Sequence, residues 1–174
     1  MIFMKKEERY TKILVIFLIL ALAAIAIYYY LPDLLILPNL STAGFVRVNV
    51  EVDVQGDTGV VRLTGGCYQV LATVEKDQAV SILNGMNNVV GLRPNVHDLF
   101  RDTLKGLDAK ILMIKITDVR EDVYLSKMLI RKGNTLLSLD ARPSDAIAVA
   151  VRSDYNVPMY MNQTLMMKQG TKIC

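Results

Sequence analysis

Histidine occurs once in this 174-residue sequence, at His97, and cysteine only twice, at Cys67 and Cys174. A tetrahedral zinc site draws on clustered Cys and His ligands, so so small and so scattered a set excludes one. The nine methionines are scattered, with no metal-binding spacing. A basic excess is missing as well. Leaving out residues 1–30 removes four basic and two acidic side chains, and 16 basic and 15 acidic ones remain. A surface that grips a long run of phosphates carries a clearer positive excess. Tight, extended nucleic-acid binding is therefore not expected, while a compact site with a few arginines is not excluded. No low-complexity run occurs, and no lysine or arginine lies between Lys12 and Arg47. The two cysteines can pair in an oxidising compartment, or Cys67 can stay a buried free thiol; spacing does not choose.

What is present begins with one long apolar run. Ile13 to Leu31 is uncharged, and as a helix it spans about 28 Å, against about 30 Å for the hydrocarbon core of a bilayer. Tyr28, Tyr29 and Tyr30 fall at its far end, where an interfacial aromatic belt belongs. Lys5, Lys6, Arg9 and Lys12 precede it. The positive-inside rule then makes residues 1–12 a cytoplasmic N-terminus and residues 13–31 a single-pass anchor in the cell membrane, with the following domain extracytoplasmic. The alternative is a secreted domain after signal cleavage at Ala24-Ile25-Ala26, against which stands the hydrophobic chain that continues beyond Ala26.

Pro32, Pro38 and the run Asn39 to Gly44 read as a linker over 32–44. A domain over 45–167 and a polar tail over 168–174 follow. Phe45 to Val54 alternates strictly, Val46, Val48, Val50, Val52 and Val54 facing one way, which predicts a half-buried strand. Val60 to Thr64 and Cys67 to Thr73 complete a three-stranded meander. Glu75 to Asn88 is a helix with Ala79, Ile82, Leu83 and Met86 on its inner stripe. Val96 to Leu107 is a second helix, capped by Asn95 with Asp98 three residues on, and its buried face is read as Val96, Leu99, Phe100, Leu104 and Leu107. Lys110 to Thr117 and Val123 to Arg131 are strands joined by the charged turn Asp118 to Asp122. Thr135 to Leu139 is a buried strand, and Val157 to Met161 a last one.

Between those final strands lies the stretch around which the domain is organised. Arg142-Pro143-Ser144 turns the chain, and Ser144 can cap the free N–H groups of the next turn. From Ala146 to Val151 six small or branched apolar residues follow without a polar face. Such a helix is buried on most sides. The fold expected is α+β: a mixed sheet of six or seven strands with three helices, the last one buried, plus the N-terminal transmembrane helix.

Two segments resemble a known family. Asp140-Ala141-Arg142-Pro143-Ser144-Asp145-Ala146-Ile147-Ala148 is similar to the signature of the bifunctional nuclease domain family, small α+β domains credited with cleaving DNA and RNA. Arg93-Pro94-Asn95-Val96-His97-Asp98-Leu99 resembles that family's Arg-Pro-x-Thr-His-Asp-Leu segment, with Val96 in place of threonine. The likeness runs from about Val48 to Tyr160. One departure stands out: where the family's Ile-Gly-x-x-Glu-Ala opens a helix, this chain has Val74, Glu75, Gln78 and Ala79, so Gln78 replaces the acid.

The resemblance implies a membrane-anchored nuclease hydrolysing phosphodiester bonds. Its catalytic candidates are His97, Asp145, Asp140 and Asp98, and its substrate-binding candidates Arg142, Arg93 and Ser144. A divalent cation, magnesium or manganese, would sit on Asp145 and Asp140; no organic cofactor is implied. Each residue also has a plainer reading. Asp145 in a first helical turn favours the helix dipole, Asp98 is a cap, and Arg142 can close an internal salt bridge with Asp140 or Asp145. Arg152 complements a helix C-terminus. Ser144 lies in no nucleophile elbow. Partners implied are DNA and RNA, the membrane, and a second copy through exposed strand edges. The competing function is a non-enzymatic domain binding an anion or a protein at the membrane surface, favoured by the near-neutral charge and by Gln78.

Overall fold

The computed structural model describes the chain from Ile2, with side chains at residues 10–29 and 40–174. It falls into two compact units, Met1–Pro38 and Asn39–Cys174. In the first, helix α1 (Ile2–Leu40) carries the apolar stretch Tyr10–Tyr29, long and apolar enough to cross a membrane. The side chains of Tyr10–Tyr29 are all exposed, Leu14, Phe17 and Leu20 among them. Lys5, Lys6 and Arg9, on which the orientation rests, Tyr30 and Leu31 of the expected anchor, and residues 32–39 of the expected linker lie outside the described side chains.

The second unit holds two sheets where a single mixed one was expected. Nine strands replace the six or seven anticipated, and five helices in the chain replace the four. The larger sheet orders β1 (Phe45–Arg47), β8 (Met159–Asn162), β5 (Ala109–Arg120), β6 (Val123–Lys132) and β7 (Thr135–Ala141). It is mixed because β8 runs parallel to β5 while the other pairs are antiparallel. The smaller sheet is antiparallel: β2 (Asn49–Gln55), β3 (Thr58–Gly65), β4 (Tyr68–Glu75) and β9 (Thr171–Lys172).

The division falls inside the valine alternation. Residues 45–47 pair with 160–162, whereas 49–55 pair with 58–64. Val48, buried, belongs to neither ladder and donates its N–H to the carbonyl of Met159 at 2.9 Å. The side chains keep alternating through the switch because the backbone stays extended, so a period-two pattern cannot register a change of partner.

Four helices pack on these sheets: α2 (Lys76–Met86), α3 (Val96–Gly106), α4 (Pro143–Ala150) and α5 (Gln163–Gln169). Helix α4 is the buried one, with Ala146 to Ala150 all inside. Its alanines let α2, α3, β5 and β6 come close, and Ile147 belongs to one buried core with Val61, Leu63, Ile114 and Ile116. Each fully buried branched side chain of this kind contributes about 1.5–3 kcal/mol.

Three local readings change. Helix α3 turns a different face inward: Leu104 is buried and Phe100 half-buried, but Val96 is 70%, Leu99 63% and Leu107 50% exposed. Buried Asp98 takes the inner position, for the reason given below. Strand β7, read as buried, is an edge strand with Leu137 and Leu139 exposed. The β5–β6 hairpin is longer than expected because Glu121 and Asp122 both adopt positive φ, 49° and 64°, and close it in two residues. Such a turn favours Asn or Gly, which the sequence does not show there.

The polar tail is ordered. Asn162 caps α5, accepting from Leu165 N at 3.1 Å, and Met166 is buried in the core. Strand β9 then pairs with β4, and Cys174 forms a disulfide with Cys67, closing a sequence separation of 107. In the chain-entropy picture so long a loop makes the crosslink worth several kcal/mol, and about 2–4 kcal/mol is typical. Reduction is expected to lower the denaturation midpoint of the full chain accordingly in a denaturant titration, and Cys174→Ser to reproduce the loss.

Candidate active site

The site is assembled from three helices. At the start of α3 the Asn95 side chain accepts from His97 N at 2.9 Å and Asp98 N at 3.0 Å, while Asp98 Oδ2 accepts from Asn95 N at 2.9 Å. This is the capping box expected from the sequence. Asn95 also donates through Nδ2 to Ser81 Oγ of α2 at 3.2 Å. Asn95→Ala is expected to cost about 1–2 kcal/mol in thermal or chemical denaturation, at the upper end of cap losses because three side-chain hydrogen bonds go.

At the start of α4 the cap is Arg142 and Pro143 occupies the first turn. Proline has no N–H to satisfy and its fixed φ suits the position, so no side-chain cap is needed. Ser144 is therefore not the cap that the sequence suggested. It is buried, and it accepts from Gln78 of α2 at 3.2 Å when the Gln78 amide is oriented with its oxygen toward Arg142. That orientation pairs every atom, the oxygen accepting from Arg142 Nη1 and Nη2 at 3.1 and 3.0 Å.

His97 and Asp145, 48 residues apart in sequence, meet here: His97 Nε2 lies 3.3 Å from Asp145 Oδ1. Arg142 forks onto the same carboxylate, Nε to Oδ2 at 2.7 Å and Nη2 to Oδ1 at 3.3 Å. The hydrogen bond from Arg142 to Asp145 and the carboxylate's charge raise the guanidinium's already high pKa, so it is a permanent cation.

The His97 tautomer follows from its other neighbour. Ser81 Oγ accepts from Asn95 Nδ2 and, at 3.1 Å, from Arg152 Nη2, which fills both its lone pairs. Its one hydrogen is left for His97 Nδ1, 2.9 Å away. His97 Nε2 therefore keeps its proton and donates to Asp145. The carboxylate of Asp145 thus occupies, with two oxygens, the focus of a histidine N–H and an arginine fork.

These groups face a cleft of about 420 Å³ that Val96, Phe100 and Leu139 line on its apolar side. Asp140 lines it as well, exposed at the end of β7 and opposite Lys127 in the ladder. The other sequence candidates lie elsewhere. Arg93 is exposed in the connection between α2 and α3 and makes no hydrogen bond or ion pair among the described residues. Asp98 points away from the cleft into a buried ion pair with Arg152, Nε to Oδ1 at 2.6 Å, the side chains only 5% and 4% exposed.

Arg152 does reach the end of α4, donating through Nη1 to Ala148 O at 2.6 Å, but its main partner is Asp98. Gly85 makes room for it, since a Cβ there would come within 2.7 Å of Arg152 Nη1. Burial pushes the Asp98 carboxyl up, and the Arg152 hydrogen bond, the Asn95 N–H and the charges of Arg152 and Arg101 together outweigh it, leaving its pKa below the usual value.

The donor set does not fit the divalent cation expected on Asp145 and Asp140. Both oxygens of Asp145 already accept from Arg142 or His97, and a permanent guanidinium stands where a cation would have to enter. Among the described residues no three His, Cys, Asp or Glu side chains converge on one point.

Ser81 carried no signal of its own in the sequence, being one hydroxyl beside the apolar stripe of α2. Gln78 was visible only as a departure from a family pattern.

The sequence model of the bifunctional nuclease domain matches residues 63–173, which include every group just described. The chain belongs to the bifunctional nuclease domain family. Bifunctional nuclease 1 of Oryza sativa subsp. indica is 27% identical over 103 residues, covering 58% of this chain and 30% of that protein. Bifunctional nuclease 2 of Arabidopsis thaliana is 26% identical over 98 residues, 55% of this chain and 29% of its own length. Bifunctional nuclease 2 of Oryza sativa subsp. japonica is 22% identical over 117 residues, 65% and 35% respectively. The matched region thus spans about a third of each of these relatives. Within the family frame, the two resembling segments are the two that supply His97 and Asp145, and Gln78 is seated on the Arg142 guanidinium.

Proposed function

We propose that this chain is a nuclease, a phosphodiesterase acting on DNA and RNA, held at a membrane by residues 13–31. The observation that carries the reading is the convergence of both family segments on one cleft through the His97–Asp145 contact. The His97 Nε2–H and the Arg142 fork already converge on two oxygens of a carboxylate, and two non-bridging phosphate oxygens present the same chemistry. In this reading His97 and Arg142 stabilise the negative charge on the non-bridging phosphoryl oxygens, and Asp145 orients both donors before substrate arrives. Gln78, a neutral acceptor, leaves the guanidinium at lower cost than a carboxylate would. Asp140, exposed on the cleft wall, takes the proton of the attacking water or ribose hydroxyl as its oxygen bonds to phosphorus; the P–O bond to the leaving sugar oxygen breaks, and that oxygen takes a proton from solvent.

The test incubates the full chain, in neutral maltoside micelles, with labelled single-stranded DNA and RNA under magnesium, manganese and EDTA. Cleavage is expected in all three arms, since both Asp145 oxygens are taken by Arg142 and His97 and no cluster of cation ligands occurs among the described residues. No cleavage in any arm would sink the reading. The competing account, a binding domain for an anion or a protein, draws on one observation, that Asp145 and Gln78 already accept from Nε, Nη1 and Nη2 of Arg142. It predicts phosphate binding without turnover.

The anchor reading rests on the exposed apolar helix and on the flanking basic residues. The Cys67–Cys174 disulfide supports an oxidising surrounding for the domain. Protease added to intact cells is expected to digest the domain from outside; protection until lysis would reverse the orientation.

A further inference from the structure

A second cavity, of about 210 Å³, shares Arg142 with the cleft. Its walls are apolar and come from both sheets and α4: Val61, Val74, Ile116 and Ile147. Exposed Thr73 and Asp122 line it too, with half-buried Tyr124, whose hydroxyl has no hydrogen-bond partner among the described residues. Burial and the neighbouring Asp122 charge raise the Tyr124 pKa, so its phenol stays a donor. The volume is below the roughly 300–1,000 Å³ of pockets for drug-sized ligands and suits a single small ring system.

We propose that this cavity receives the base of the nucleotide whose phosphate Arg142 holds, which makes unpaired nucleic acid the substrate class. The proposal rests on the phosphodiesterase reading above. Continuity through Arg142 ties the two cavities to one ligand, with the anionic group on the guanidinium and the flat apolar group beside it. Tyr124 gives a hydroxyl for the polar edge of a base, which an alkyl chain would leave unused. A base within a duplex cannot enter such a slot without unstacking, whereas a single strand presents it freely.

The experiment titrates the full chain in neutral maltoside micelles with adenosine 5′-monophosphate, ribose 5-phosphate and hexyl phosphate by calorimetry. The nucleotide is expected to bind at least about tenfold more tightly than the other two. Ala72 of β4 also lines the cavity; Ala72→Phe, which fills it, removes that advantage and leaves ribose 5-phosphate unchanged, while Arg142→Gln weakens all three. Methyl resonances of Val74, Ile116 and Ile147 in the unmutated chain move with the nucleotide and not with ribose 5-phosphate, a readout independent of any variant's folding. Equal binding of nucleotide and ribose 5-phosphate, lost together in Arg142→Gln, overturns the base site and leaves the phosphate reading standing. Tighter binding of hexyl phosphate overturns the base in favour of a lipid. Binding of none of the three overturns the phosphate reading with it.

Discussion

Arg152→Ala is expected to destabilise the domain by about 3–5 kcal/mol, the size of loss seen when one partner of a buried ion pair is removed. The reason is in the geometry: Asp98 is buried, and Arg152 supplies its 2.6 Å partner while also donating to Ser81 and Ala148. Without the guanidinium a carboxylate is left in a protein interior with one backbone N–H, that of Asn95, and nothing cationic in direct contact. Denaturant titration of the full chain measures the loss. Replacing both members, Asp98→Leu with Arg152→Met, is expected to recover much of it, because the pair's own desolvation cost goes too.

The same pair sets an acid limb. The folded pKa of Asp98 lies below its usual 3.8, so its contribution is complete above that pH and is lost as pH falls through the folded value. A stability profile whose low-pH limb is unchanged in Arg152→Met would contradict the assignment.

The second large effect is on turnover. Arg142→Ala and His97→Ala are each expected to lower the cleavage rate by about 10²–10³, the usual consequence of losing one charge-stabilising donor. The side chain of Arg142 is 64% exposed, so its loss should leave the fold intact. His97→Gln keeps an N–H donor and is expected to recover part of the rate; equal loss in His97→Gln and His97→Ala would argue for proton transfer by the ring instead. Unchanged cleavage in Arg142→Ala would remove the cleft from the mechanism. Asp140→Asn tests the base, with a loss of about 10²–10⁴ expected.

Two local readings held because a short-range rule was sufficient. The capping box at Asn95 and Asp98 needs only four consecutive residues, and the burial of α4 needs only an all-apolar run. Where partners lie far apart the reading failed. The stripe of α3 pointed to Val96, Leu99 and Leu107 as core, because side-chain hydrophobicity outranks a single aspartate in any local count. Arg152, 54 residues on, reverses that order by giving Asp98 a buried partner. Helix α5 is too short for a periodic signal, and its place depends on Met166 reaching a core built by other segments.

The sequence by itself determined the apolar helix, the α+β class, the buried α4 and the family, since each lies in composition, period or contiguous motif. The tertiary structure alone decided that one alternating strand serves two sheets and that the cysteines pair. It also decided that His97, Ser81, Asp145 and Arg142 form one hydrogen-bonded set. The reason is directional: a hydrogen bond fixes distance and angle between side chains whose sequence separation carries no information about either.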